Sequence, residues 1–233
     1  MQNNRNGLFK LFRDYNLKLY NSRIKTPAYL DLDEFFPEHL ILEENYSLIK
    51  DEVMKVIESG KKLPKFHEVD DGQEYISNND GVCWSLLSLK LYDMWHSKNI
   101  KLCPKTSELL RGIKNIKSAY FSILDKRKYI PPHKGPYKGI LRYQLAISVP
   151  KKGECKIIVD DKEYFWKEGV GVLFDDTFTH EVQNNTDEIR VALLLDVKRK
   201  IPGFFMRIYD SFIFCLIQFL IVLNNTFTKS KIS

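Results

Sequence analysis

What this chain of 233 residues has little of already narrows its function. Its four cysteines, Cys83, Cys103, Cys155 and Cys215, form no C-x-x-C pair and no dense framework. That excludes the usual zinc-ribbon spacing and a disulfide scaffold, and leaves free thiols in a reducing compartment as the expectation. The opening MQNNRNGLFKLFRDYN lacks the unbroken apolar core of a secretory signal, so a cytoplasmic protein is expected. Without such a signal, the glycosylation triplets at Asn45, Asn184 and Asn224 read as chance matches. One-sided charge is missing too: 36 basic residues are interspersed with 30 acidic ones, and the resulting net charge of +6 favours anionic partners only weakly. The KGPYKG run has no G-K-[ST] ending and so makes no phosphate loop. No nucleic-acid module accompanies the basic residues, which excludes nucleic acid as the expected partner. Repeats and low-complexity tracts are absent as well.

What is present suits one globular domain, with 44% hydrophobic residues available for a core. Residues 1–35 read as a peripheral helix or a loose arm. From Phe36 to Ser59, apolar Leu40, Leu42, Tyr46, Ile49, Val53 and Ile57 recur at three- and four-residue steps and predict one amphipathic helix. A polar run follows, then VCWSLLSLKLYDMW, in which strand and helix fit equally well. CPKTSELLR predicts a helix capped by Thr106, with Glu108 in its first turn. From about residue 117 the period shortens to two. SAYFSIL, ILRYQLAISV, CKIIVDD, KEYFWKEG, VGVLFDDTF, HEVQNNT and IRVALLLDV are β-branched and aromatic runs separated by Gly, Asn, Asp, Pro and Lys. They predict a mainly β fold, an antiparallel sandwich or jelly roll with the N-terminal helices outside it.

Residues 201–233 form a tail of different composition. Residues 211–227 carry no charge, and the densely apolar part runs from Phe212 to Leu223. That is short of the ~20 apolar residues a spanning helix needs, and Arg207 and Asp210 interrupt its extension. An interfacial anchor over residues 204–223, bordered by Lys198, Arg199, Lys200 and Arg207, and a core or interface helix are both consistent with the pattern.

Five histidines are available for metal or acid–base chemistry. His39, His67 and His96 sit in helical or polar surroundings and are expected to be structural. His133 precedes a strand and His180 follows VLFDDTFT, so a closed sandwich brings both to one mouth. Paired imidazoles there make a half-site for Fe, Zn, Cu or Ni. Asp175 and Asp176 lie in the turn before His180. Asx hydrogen bonds or orientation of that histidine are expected of them, not catalysis.

The segments HKGPYKGILRYQLAISVP, CKIIVDDKEYFWKEGVGVLFDDTFTHEV and EIRVALLLDVKR together resemble the aspartyl/asparaginyl β-hydroxylase family of Fe(II)- and 2-oxoglutarate-dependent dioxygenases. The likeness covers most of residues 36–200, with a β core over about 117–199. It implies a double-stranded β-helix, a cupin-like jelly roll with flanking helices. It also implies iron held by His133 and His180, with 2-oxoglutarate and O2 completing the reaction. Gly135 stands where most such oxygenases place a carboxylate ligand. The resemblance implies a branch that works without it, while a related branch hydroxylating lipid acyl chains commonly keeps an aspartate there.

By the same resemblance Arg190 pairs with the distal carboxylate of 2-oxoglutarate, Ser122 assists through its hydroxyl, and Arg142 contacts an anionic substrate group. Trp84 reads either as a cosubstrate neighbour or as a core aromatic. Gln144 replaces a histidine that contacts the cosubstrate in the family; its amide still donates but carries no charge. The implied activity is hydroxylation of an unactivated C–H bond in a peptidyl Asp or Asn or in a lipid acyl chain. Two other readings stay open: a catalytically degenerate cupin-like binding module, motivated by Gln144, and a membrane-peripheral interaction protein, motivated by residues 204–223.

Overall fold

The two-residue period found after residue 117 is realised as two antiparallel sheets. The computed structural model describes residues 5–69, 72 and 74–229. In chain order the elements are α1 (Arg5–Asn21), β1 (Tyr29–Leu30), α2 (Leu32–Phe35), α3 (His39–Glu44), α4 (Tyr46–Glu58), α5 (Phe66–Val69), α6 (Glu74–Ser77), β2 (Trp84–Leu91) and β3 (Met94–Trp95). A 3-10 turn (Asn99–Lys101) and α7 (Pro104–Gly112) lead into β4 (Ile116–Leu124), β5 (Tyr129–His133), β6 (Ile140–Ser148), β7 (Cys155–Val159), β8 (Lys162–Phe165), β9 (Gly171–Phe174), β10 (His180–Asn184), β11 (Arg190–Lys198) and α8 (Phe204–Lys229).

The larger sheet runs β1-β9-β6-β11-β4-β2-β3 and the smaller β5-β10-β7-β8. Together they form the jelly roll, with helices on the outside of the larger sheet. Strand β11 shows why both faces of that sheet are covered. Val191, Leu193, Leu195 and Val197 belong to a core with Leu42, Ile49 and Val53 of α3 and α4 and Leu110 of α7. Ala192 and Leu194, one residue out of phase, belong to a second core with Ile157, Val159 and Val182 of the smaller sheet. Burying each Val, Leu or Ile side chain contributes roughly 1.5–3 kcal/mol, so the sandwich is held from two sides. The inward face also carries Arg190 and Asp196 at the same parity.

Several local predictions change. The stretch read as one helix from Phe36 to Ser59 is two helices, α3 and α4, broken at Asn45, whose Nδ2 donates to Ile41 O at 2.8 Å. Phe36, ahead of Pro37, is outside both, because proline disfavours a helical residue before it. Thr106 does not cap α7. Pro104 opens that helix, and Glu52 of α4 accepts from the backbone N–H of Lys105 (2.9 Å), that of Thr106 (2.8 Å) and the Thr106 hydroxyl (2.7 Å). A carboxylate from a neighbouring helix thus serves the helix start. The ambiguous stretch at 84–95 is a hairpin, β2 and β3, turning on Tyr92 and Asp93 at φ 44 and 68.

Helices α1 and α8 form a unit distinct from Thr26–Lys198. Within it the Tyr20 hydroxyl donates to Asp210 Oδ1 at 2.8 Å, and the Tyr209 hydroxyl donates to Asn16 Oδ1.

Candidate active site

The site grows from a strand that sequence patterning did not show. β5 reads YIPPH, and two prolines within five residues speak against a central strand. It lies at the edge of the smaller sheet, where missing N–H donors cost least. Its last residue, His133, is the cross-strand partner of His180, the first residue of β10, and an irregularity in register directly follows this pair. The two rings lie 4.1 Å apart between centroids. His133 Nδ1 donates to Pro131 O at 2.8 Å and His180 Nδ1 to Phe178 O at 3.0 Å. Because a carbonyl only accepts, each ring holds its proton on Nδ1 and keeps the Nε2 lone pair for a ligand. Burial, with the Arg142 charge beside it, pushes His133 down to about 4. Burial, His133 and Arg142 push His180 down to about 3. Both imidazoles are therefore neutral donors at neutral pH, the form a metal takes.

Gly135 has a spatial reason to be glycine. A Cβ built there would lie 2.4 Å from Asp176 Oδ1 and 2.5 Å from its Cγ, so the Asp176 carboxylate occupies the room a side chain at 135 would need. Gly135 N–H donates to Asp176 O at 2.7 Å, fastening the two loops together. Beside them Lys138, 3% exposed, ion-pairs with fully buried Asp175 at 2.7 Å. Asp175 also accepts from the Thr177 backbone N–H at 3.1 Å and hydroxyl at 2.6 Å, an Asx-type turn leading to His180. Among the described residues no three His, Cys, Asp or Glu side chains converge on one point. A metal here would have two imidazole nitrogens from the described residues.

Arg190 opens β11 and is 1% exposed. Its Nε and Nη1 have no hydrogen-bond partner among the described residues, and its guanidinium carbon lies 4.6 Å from the centre of the Trp166 ring. Burial brings its pKa down to about 10, which leaves it charged at neutral pH. A buried cation without a counter-ion is costly, and a planar fork of donors suits a carboxylate. Register sets the other residues around it. Leu124 of β4 pairs with both Arg190 and Trp84, and Ser122 pairs with Ala192 and Leu86. Trp84 Nε1 donates to Ser122 Oγ at 2.9 Å, so the serine keeps its own hydroxyl hydrogen to donate. Trp84 also packs on Phe66 with ring centroids 4.2 Å apart. Gln144 of β6 pairs with Leu194; among the described residues its Oε1 is buried without a partner, as is Trp166 Nε1. These unmet polar atoms all lie within the jelly roll between Thr26 and Lys198, and they match a small polar molecule carrying a carboxylate.

Arg142 is occupied by the protein itself. Its Nη1 donates to Tyr120 OH at 2.6 Å, Nη2 to Asp176 Oδ2 at 2.9 Å, and Nε lies 3.0 Å from Asp196 Oδ1. Burial opposes its charge, but Asp196, Tyr120 and Asp176 raise its pKa above the ordinary value. A substrate anion reaching Arg142 would compete with two carboxylates.

Trp166 opens the WKEG run of the family resemblance but carried no role from sequence, and Tyr120 and Asp196 were not singled out. Asp196 was legible in principle, since it shares the inward parity of Arg190 on β11. The other three histidines are engaged elsewhere: His39 between Asp33 and Glu43, each at 3.0 Å, His67 with Ser77 at 3.0 Å, and His96, whose Nδ1 accepts from the Asn99 N–H at 3.4 Å.

Comparison with known proteins places these residues in context. The profile described as Aspartyl/Asparaginyl beta-hydroxylase matches residues 43–200. An ornithine lipid ester-linked acyl 2-hydroxylase of Rhizobium tropici is 33% identical over 182 residues, covering 78% of this chain and 64% of that protein. The aspartyl/asparaginyl beta-hydroxylase of Mus musculus is 30% identical over 161 residues, covering 67% of this chain. The chain thus spans 64% and 21% of the length of these two curated relatives. Among solved structures, a prolyl-4-hydroxylase of Pseudomonas putida aligns with a TM-score of 0.43 at 12% identity, covering 66% of this chain and 88% of that one.

Proposed function

The chain belongs to the aspartyl/asparaginyl β-hydroxylase family, and from that premise we propose that it is an Fe(II)- and 2-oxoglutarate-dependent dioxygenase hydroxylating an unactivated C–H bond. The observation that carries this reading is Arg190, a buried guanidinium with two donor nitrogens unpaired among the described residues, in the same jelly roll as a neutral histidine pair. His133 and His180 would hold the iron through Nε2. When bound, iron supplies the oxidising power, with O2 as oxidant and 2-oxoglutarate converted to succinate and CO2.

The protein's own residues bind and orient. Arg190 pairs with the distal carboxylate, and Trp166 on its face holds the guanidinium in one plane. Ser122, oriented by Trp84, donates a hydrogen bond, and Gln144 offers an amide to the same molecule. The backbone carbonyls of Pro131 and Phe178 fix the histidine tautomers. The buried walls of the second core exclude water from the reacting carbon.

As substrate we propose an acyl chain of a membrane lipid. Arg142 is already neutralised by Asp176 and Asp196, and residues Phe204–Val222 have a mean hydropathy of 1.8 with few buried positions. The apolar segment would bring the protein to the cytoplasmic face of a membrane. Gly135 supports a second reading, a peptidyl Asp or Asn, since that branch of the family lacks a carboxylate at this position. Incubation with Fe(II), 2-oxoglutarate and either lipid vesicles or Asp/Asn peptides distinguishes them. The lipid reading expects a one-oxygen mass gain on an acyl chain with matching succinate; a gain on peptide alone replaces it, and succinate from neither removes the enzyme reading.

A further inference from the structure

The chain's net positive charge comes from its two ends. Residues 1–25 and 199–233 hold eleven Lys and Arg against two Asp, whereas residues 26–198 hold 25 basic and 28 acidic residues. The catalytic unit is net acidic; the unit built from α1 and α8 carries the entire basic excess.

That same unit exposes its apolar side chains. On α8, Phe205 (83% exposed), Ile208, Phe212, Phe219 and Val222 recur at steps of three, four and seven and form one stripe. On the other side of α8, Asp210 and Ile213 are buried. On α1, Leu11, Phe12 and Tyr15 are exposed, with Lys10 and Lys18 exposed beside them. Asp210, which in sequence interrupts the apolar run, does not face outward: it accepts from Tyr20 of α1. The Asn16–Tyr209 contact is a second tie between the helices, and the Tyr20 and Tyr209 rings lie 6.0 Å apart.

We infer that α1 and α8 form a two-helix element that lies flat on the surface of an anionic lipid bilayer. Charge selects this occupant. A second copy of the chain would bring one basic surface against another, whereas anionic headgroups neutralise it while the aromatic stripe enters the acyl boundary. The ties between the helices argue against a crossing. The first half of α8 cannot enter the hydrocarbon without drawing in α1, which carries Lys10, Arg13, Asp14 and Lys18, and charged side chains at that depth are strongly disfavoured. This surface is separate from the histidine pair and stands whichever substrate is hydroxylated.

The test is co-sedimentation of the full chain with sucrose-loaded vesicles of phosphatidylcholine alone or with about a third phosphatidylglycerol. The account expects about tenfold stronger binding to the anionic vesicles, weakened by salt and released by an alkaline carbonate wash. Phe205→Ser with Phe212→Ser should abolish binding, and Lys10→Glu with Lys18→Glu should weaken it; circular dichroism checks that these surface variants fold. Equal binding to both vesicles, or retention through the wash, overturns the proposal. So does a chain that ignores vesicles and dimerises with rising concentration in analytical ultracentrifugation. Since no turnover is read, failure here and failure of the hydroxylase reading are distinguishable.

Discussion

His133 and His180 face each other across β5 and β10 with ring centroids 4.1 Å apart, each presenting a neutral ring whose Nδ1 is tied to a backbone carbonyl. Two strands from one small sheet thus deliver a preformed pair of nitrogen donors, and the chemistry assigned to the protein depends on that pair. His133→Ala and His180→Ala should each lose Fe(II) affinity by more than the ~10–100-fold typical of removing a supporting group. Thermal unfolding of the metal-free variants should stay near wild type. Equilibrium dialysis with Fe(II) or Co(II) measures the first and calorimetry the second.

Arg190 separates function from stability. Arg190→Met removes a buried charge whose Nε and Nη1 have no hydrogen-bond partner among the described residues, so the ligand-free fold should gain about 1–3 kcal/mol in a denaturant titration. The same variant should raise the 2-oxoglutarate dissociation constant by about 100-fold or more, since a charge-assisted pair is lost. A loss of stability would mean that the guanidinium has a structural partner.

Gly135→Asp is the substitution that the resemblance to carboxylate-bearing oxygenases suggests for adding a third ligand to a metal on the histidine pair. Here it should destabilise the fold by about 1–3 kcal/mol, because its Cβ would collide with the Asp176 carboxylate 2.4 Å away. Gly135→Asp combined with Asp176→Gly should recover part of that loss. Metal affinity of the single variant below wild type, measured beside its unfolding midpoint, is the expected pattern.

A buried lysine gives the fold its acid sensitivity at another place. Lys128, wholly buried, donates to Ser77 O (2.9 Å), Asn79 Oδ1 (2.9 Å) and Asp80 Oδ1 (2.6 Å). Burial pushes the Asp80 carboxyl up, but Lys128 and the N–H groups of Tyr129 and Val82 outweigh it and hold it below the usual carboxylate value of 3.8. With the folded pKa depressed, the pair stabilises the protein above that value and its contribution disappears as pH falls through the folded pKa. Asp80→Asn should cost about 3 kcal/mol at pH 7 and flatten this acid limb of the stability curve.

The β half was legible because its strands read either as alternating runs with one buried face, as in HEVQN, or as short continuous apolar runs bounded by turn residues, as in IRVALLLDV, which is buried on both faces. β5 was hidden by Pro131 and Pro132, and only its place at a sheet edge makes it a strand. The β2–β3 hairpin was hidden by its turn, where Tyr92 and Asp93 hold positive φ without the Asn-Gly signal that usually marks it. The break at Asn45 and the capping of α7 by Glu52 were hidden because both depend on neighbouring elements. Within the site, both histidines and Arg190 stood in quotable motifs. Engagement of Arg142 by Asp176 and Asp196 needed the register of β6 against β11, which no single segment contains.

The most direct measurement is anaerobic Fe(II) titration with 2-oxoglutarate, read by visible absorption in wild type, Arg190→Met and His180→Ala. The account predicts a metal-to-ligand charge-transfer band in wild type, the same band at much higher 2-oxoglutarate in Arg190→Met, and none in His180→Ala. A folded wild-type protein without the band, or an undiminished band in His180→Ala, would contradict it.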